Sequence, residues 1–265
     1  MTSLLSDTST TLSASLSAGV RTLTFDRPAR ANAFNLELIL ALLRALDEAA
    51  RDPKTRVLVL TGEGTAFGAG HDITEMLAGA GNISYREHLQ QTYNPLILKI
   101  RQIEKPVLAA VNGMCAGASL GVALACDLRI AADEARFVVG FSGIGLVPDS
   151  GVSLFLPALI GLGRAAEFYF SNQPISAETA FQWGLVNRVV PFNLMEEVQS
   201  TAEKLAAGPV GAYGKTKIAF NKAMYPHLEE VLATEADLQE EASKSAEHRE
   251  GVEAFLGKRL PRFKG

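Results

Sequence analysis

The chain has 265 residues, 48% of them hydrophobic and 20% charged, with a formal net charge of −4. That balance suits one large core with a small helical part appended, and with no basic block along the chain it argues against a nucleic-acid partner held by charge. No apolar run reaches the roughly 18 residues of a membrane span and the first residues lack the basic-then-apolar order of a signal peptide, so a cytoplasmic location is expected.

Residues 1–10, MTSLLSDTST, are polar and Ser/Thr-rich and are expected to be a flexible tail. LSASL and VRTLTF flank Ser17-Ala18-Gly19 as the two alternating strands of a hairpin, which ends at Asp26-Arg27-Pro28. Asn35 is placed to cap the helix LELILALLRALDEAA, which stops before Pro53. RVLVLTG reads as a strand buried on both faces, and Gly62 to Asp72 follows as a glycine-rich loop able to present backbone donors. Helical spacing covers 84–103 and ends before Pro106.

The stretch from Lys105 to Asp149 holds the centre of the chain. VLAAV reads as a buried strand, Asn112-Gly113 as a turn, and AGASLGVALA as a helix of small residues packed on all sides. Asp127–Ala131 and Arg136–Val139 read as short strands. A buried helix N-terminus beside an apolar pocket leaves backbone N–H groups free to stabilise a negative oxygen, which suits carbonyl chemistry. Cys115 and Cys126 lie in this segment without the second pair a CxxC zinc site needs, so buried thiols are expected, and no metal-ligand spacing occurs. The strand-turn-helix unit recurs to about residue 190, as in a spiral or layered α/β fold, and the pattern is helical after Pro191.

The segments DRPARANAFN, GEGTAFGAGHDI, KPVLAAVNG with its small-residue helix, FVVGFSGIGLVPDSGVSLFLPALIG, AFQWGLVNRVV and FLGKRLPRF together resemble the crotonase superfamily, the enoyl-CoA hydratase/isomerase fold. The likeness runs from about Leu12 to Phe263. It implies an α/β spiral of repeated ββα units over 11–191 and a C-terminal helical region over 192–265 that packs in trimers, often paired into hexamers. The substrate it implies is an acyl-CoA thioester, with no further cofactor. The oxyanion hole falls on the backbone N–H groups of His71 and Ala118, the His71 ring being incidental. Ala31, Ala69, Gly70, Ile73, Gly117 and Phe141 are expected along the substrate. Arg30, and Lys258 from an adjacent subunit, are expected near the CoA phosphates. Asp72 either holds its loop or meets the adenine end of CoA.

The carboxylates separate the chemistries. Hydratases of the superfamily use two glutamates to activate water, and the matching positions here are Gly121 and Phe141, which move no proton. Asp149 stands where the superfamily's enoyl-CoA isomerases carry their single acid. It also directly precedes the apolar run SGVSLFLPALIG, where it would serve as an N-cap. Tyr93-Asn94-Pro95-Leu96, Trp183-Gly184 and Arg249-Glu250-Gly251-Val252 resemble the ring-epoxyphenylacetyl-CoA isomerases of the superfamily. Its aryl-CoA dehalogenases use the same aspartate with a histidine where this chain has Asn94, so dehalogenation ranks lower. The expectation is an acyl-CoA isomerase with Asp149 as acid and base. The alternatives are a hydratase whose water is oriented by Ser119, Ser142 or Asn94, and a non-catalytic acyl-CoA-binding protein.

Overall fold

The computed structural model describes residues 3–4, 11–74 and 84–263. Strands β2 (Leu12–Ser17) and β3 (Val20–Phe25) form the expected antiparallel hairpin, turned at Ala18 and Gly19, which both have positive φ. Of the segment expected to be a tail, Ser3–Leu4 form an edge strand, β1, against β2; residues 1–2 and 5–10 lie outside the described residues. Helix α1 (Leu36–Arg51) is capped by Asn35, whose side chain accepts from Leu38 N–H at 3.0 Å.

The rest of the core winds as a spiral of ββα units. In three successive pairs, β4 (Val57–Gly62) with β5 (Ala66–Gly68), β6 (Val107–Val111) with β7 (Met114–Ala116), and β8 (Leu128–Ala132) with β9 (Arg136–Val138), the first strand joins a large sheet and the second a small one. With β10 (Ile175–Ser176) and β11 (Arg188–Val190), the large sheet has the order β1-β2-β3-β4-β6-β8-β11, parallel from β3 onward, and the small one β10-β9-β7-β5. Parallel strands covered on both faces must be apolar throughout. Accordingly Leu58 and Leu60 of β4 enter one core, and Val57 and Val59 enter a second on the opposite face.

Helical spacing over 84–103 resolves into two helices, α2 (Tyr85–Gln91) and α3 (Tyr93–Gln102), where one segment was expected. Pro95 explains the break: it has no N–H to give and its ring crowds the preceding turn, so it is accommodated only in a first turn. Helix α4 (Ala118–Ala125) has every residue buried, as its small side chains require. Gly113, between β6 and β7, is needed because an added Cβ would collide with the Thr65 carbonyl. Cys115 and Cys126 are buried free thiols.

Helices α5 (Val152–Ile160), α6 (Leu162–Ser171) and α7 (Ala177–Trp183) precede four C-terminal helices: α8 (Leu194–Ala207), α9 (Val210–Met224), α10 (Leu228–Ser243) and α11 (Ala246–Leu256). These do more than wait for a neighbouring subunit. Val198, Ala202 and Ala206 of α8 close the second core over Val57, Val59 and Leu108, and Leu232 of α10 joins the first. No helix among the described residues is long and apolar enough to cross a membrane.

Candidate active site

A cavity of about 600 Å³ opens between the Ala69–Thr74 loop, α2, the start of α4, the 138–149 segment and the chain end at 255–261. Phe34 N–H donates to Gly70 O at 2.7 Å and Asp72 N–H to Phe34 O at 2.8 Å. This bridge pins His71 between them and leaves its own N–H without an acceptor among the described residues. Ala118 is the first residue of α4, where helical N–H groups have no partner within the helix, and its N–H is likewise unclaimed. Both residues line the cavity. Gly70 N–H donates to the buried Ser119 Oγ at 2.9 Å, which ties the loop to α4. Gly70 and Gly117 both have positive φ, and a Cβ added to Gly117 would lie 3.5 Å from Gly70 Cα. Two unclaimed backbone donors at one cavity are the kind of groups from which an oxyanion hole is built.

Asp149 lines the same cavity, and its residue is only 8% exposed. It does not cap α5. That helix has Gly151 at its N-cap, and the exposed donors at its start are taken by Glu235 of α10: Gly151 N–H donates to Oε2 at 2.8 Å and Ser153 N–H to Oε1 at 2.9 Å. Relieved of capping, the Asp149 carboxylate accepts from Ser150 Oγ at 2.7 Å and from Gln239 Nε2 at 2.9 Å. Burial raises its pKa to about 6, with those two hydrogen bonds holding it back from a larger rise. Burial also lifts Glu235 to about 7 despite its donors, and the neighbouring Asp149 adds to that rise.

The positions of the two hydratase glutamates are closed sterically as well as chemically. A Cβ at Gly121 would lie 2.5 Å from Ser150 Cβ, so no longer side chain fits while Ser150 holds Asp149. Phe141 is a buried apolar wall.

Arg30, Ala69, Gly70, Ile73 and Gly117 line the cavity, whereas Ala31 does not: its carbonyl accepts from Ala69 N–H at 3.0 Å and so supports the loop from behind. Asp72 also reaches the wall, yet its carboxylate is committed to Arg27 Nη2 at 2.9 Å and to Thr74 Oγ1 at 2.6 Å. Burial opposes ionisation there, but the bonds from Thr74 and Arg27 keep the pKa below the ordinary value, as a loop-holding role requires. Lys258 is exposed and outside this chain's own cavity wall, where Arg259 stands instead, paired with Glu250.

Sequence reasoning missed Glu235, Gln239 and the pair Tyr85–His248. Tyr85 Oη lies 2.7 Å from His248 Nε2, and His248 Nδ1 lies 2.8 Å from Ile144 O, which joins α2, α11 and the Ser142–Ile144 turn at the cavity. Since a carbonyl only accepts, Nδ1 carries the proton and Tyr85 donates to Nε2. Gly251 allows this approach, because a Cβ there would lie 2.5 Å from Ile144 Cα. The Glu235/Gln239 spacing of four residues on one helix face was the available signal, hidden within a strongly charged stretch.

This fold and site define a member of the crotonase superfamily, and the comparisons agree. The model of the enoyl-CoA hydratase/isomerase family matches residues 15–265, and the chain belongs to that family. It is 40% identical over 252 residues to the 1,2-epoxyphenylacetyl-CoA isomerase of Escherichia coli (strain K12), covering 93% of this chain and 95% of that one. It is 41% identical to a probable enoyl-CoA hydratase of Rhodobacter capsulatus, covering 94% and 96%. The crystal structure of an enoyl-CoA hydratase from Mycobacterium avium subsp. paratuberculosis K-10 superposes with a TM-score of 0.87 at 34% identity, covering 96% of this chain and 99% of that one.

Proposed function

We propose that the protein is an acyl-CoA isomerase that shifts a double bond or rearranges a ring-epoxide acyl-CoA through a thioester enolate, with Asp149 as its single acid and base. The observation that carries this reading is Asp149 itself: a buried carboxylate on the cavity wall with a pKa of about 6, not consumed by helix capping. In the double-bond shift, the Asp149 carboxylate takes a proton from the carbon next to the thioester. The electron pair moves onto the thioester oxygen, where the N–H groups of His71 and Ala118 receive it. The same carboxyl then returns the proton to the far end of the conjugated system, so one group serves both steps. A pKa near 6 leaves the base ionised at neutral pH and still a competent acid.

The hydratase reading finds less support. None of the three residues that could orient water lines the cavity: Ser119 Oγ accepts from Gly70 N–H, Ser142 Oγ donates to Tyr169 O at 2.9 Å, and Asn94 Nδ2 donates to Leu232 O at 3.2 Å. The phosphates of coenzyme A would meet Arg30 and Arg259 at the mouth, with Lys258 offered by an adjacent subunit.

Asp149→Asn tests the proposal. It keeps the shape but loses the base, so turnover on an enoyl-CoA should fall on the order of 10²- to 10⁴-fold with affinity retained. Exchange of the α-proton with deuterated water should vanish along with it. Exchange at the wild-type rate would assign the base to another group.

A further inference from the structure

A single side chain of α10 holds both the Asp149 carboxylate and the backbone that leads to it. Gln239 is only 1% exposed, and its Nε2 donates to Val147 O at 2.7 Å and to Asp149 Oδ2 at 2.9 Å, so one amide spans Pro148. The Val147 carbonyl can only accept, which fixes nitrogen and not oxygen at this end of the amide. Gln239 therefore offers Asp149 a donor and never an acceptor. Ser150 Oγ donates to the other oxygen, Oδ1, at 2.7 Å, but a hydroxyl can turn and accept instead. The helix that carries the amide is firmly placed: Glu235, one turn earlier, takes the N–H groups of Gly151 and Ser153, and Asp237 pairs with Arg86 of α2 at 2.6 Å.

Packing alone does not require glutamine here. Its Oε1 is shut off from solvent and has no hydrogen-bond partner among the described residues, a cost that methionine or leucine at the same place would not carry. What the amide supplies is an N–H to a buried carboxylate that lines the cavity. A donor to such an oxygen stabilises the ionised form over the neutral one. Resting on the isomerase reading above, we infer that Gln239 is a positioning residue of the reaction: with one N–H on Asp149 and the other on the Val147 carbonyl, it fixes the carboxylate and favours its ionised form, the form that can take a proton from substrate. Burial raises the Asp149 pKa to about 6, and the bonds from Ser150 and Gln239 oppose that rise, in line with this role. The Asp149 charge also reaches Tyr85 of α2 and Glu235 of α10, adding to the rise of each. His71, His88, Arg30 and Arg259 stand on the same cavity wall. All of these are present in wild type and variant alike. Glu235, at about 7, titrates close to Asp149, so each measurement is repeated in the Glu235→Gln background.

Infrared titration reads the Asp149 midpoint without substrate, the protonated carboxyl band being assigned by its loss in Asp149→Asn. The midpoint should lie at about pH 6 in wild type and about one to two pH units higher in Gln239→Met and Gln239→Leu, the size of one hydrogen bond to a charged group. Turnover of 3-hexenoyl-CoA to 2-hexenoyl-CoA should follow the same shift. Both variants should be about five- to fifty-fold slower than wild type at pH 6, with the gap closing to about threefold or less at pH 9 and KM unchanged. A side chain that only packs would change the melting temperature and leave the midpoint in place. Leucine repeats the test should methionine fail to fold. A folded variant with its midpoint at the wild-type value overturns the inference and leaves the isomerase reading standing, since that rests on turnover and exchange in Asp149→Asn. A midpoint that moves while the pH dependence of turnover does not would remove Asp149 as the base, and this inference with it.

Discussion

At the scale of one residue the proposed chemistry rests on Asp149, and its environment predicts a pH profile. With the pKa raised to about 6, kcat/KM should fall about tenfold per pH unit below 6 and level off above it. The His71 imidazole, which burial lowers to about 3, does not titrate near pH 6 and adds no second limb there. A limb near pH 4, the range of an ordinary aspartate, would show that Asp149 is not the titrating base. The proposed oxyanion hole gives a second contrast. Ala118→Pro deletes a donor at the helix position where proline is best tolerated, so rate should drop about 10²- to 10³-fold with the fold intact. His71→Ala keeps its N–H and should lose about tenfold at most. Equal losses in the two variants would promote the ring to a catalytic group.

The element that decides the site is α10, which approaches the start of α5 with Glu235 and the Asp149 loop with Gln239. Glu235→Ala strands the N–H groups of Gly151 and Ser153 and should destabilise the protein by about 1–3 kcal/mol, read from urea midpoints. The pH dependence follows from linkage. Glu235 has its folded pKa raised from 4.5 to about 7, so what it contributes to stability is fully present below about pH 4 and is lost as pH rises through 7. Glu235→Gln should therefore gain on wild type by on the order of 2–3 kcal/mol between pH 5 and pH 8. Taking the difference between variant and wild type cancels His71 and His88, whose lowered pKa values act with the opposite sign. A difference that stays flat with pH would mean that Glu235 is not held in the raised state.

At the scale of the whole molecule, large apolar side chains remain uncovered: Leu162 is 77% exposed, Phe170 78% and Phe192 83%, with Phe220 and Met224 also open. Such residues are ordinary at subunit contacts and costly in water. Light scattering at micromolar concentration should give a trimer or hexamer. A clean monomer would count against both the assembly and any role for Lys258 in a neighbour's site. Of the apolar residues in the C-terminal helices, Leu194, Val198, Leu228 and Leu232 are buried within the chain, Leu205, Ile218 and Val231 are half-buried, and Met195 and Phe220 are exposed.

Local pattern by itself determined the β2–β3 hairpin, the Asn35 cap, the doubly buried β4 and the small-residue helix α4, because each is set by side-chain periodicity or by a turn residue within a few positions. The motifs likewise pointed to His71, Ala118 and Asp149, which the structure brings to one cavity. The second sheet was not legible as a sheet: β9 alone of its three parallel strands was read as a strand, since β5 and β7, three residues each, are too short for an alternating pattern. Whether Asp149 caps a helix or stands free was decided by Glu235, 84 residues along the chain from the Gly151 N–H it receives. The partner of the Asp72 carboxylate, Arg27, likewise comes from a distant segment, and the burial that moves Asp149 toward pH 6 comes from the packing around it. Periodicity reports which face of an element is buried, but a pKa or an unclaimed donor depends on which distant segments meet, and only the tertiary structure brings those together.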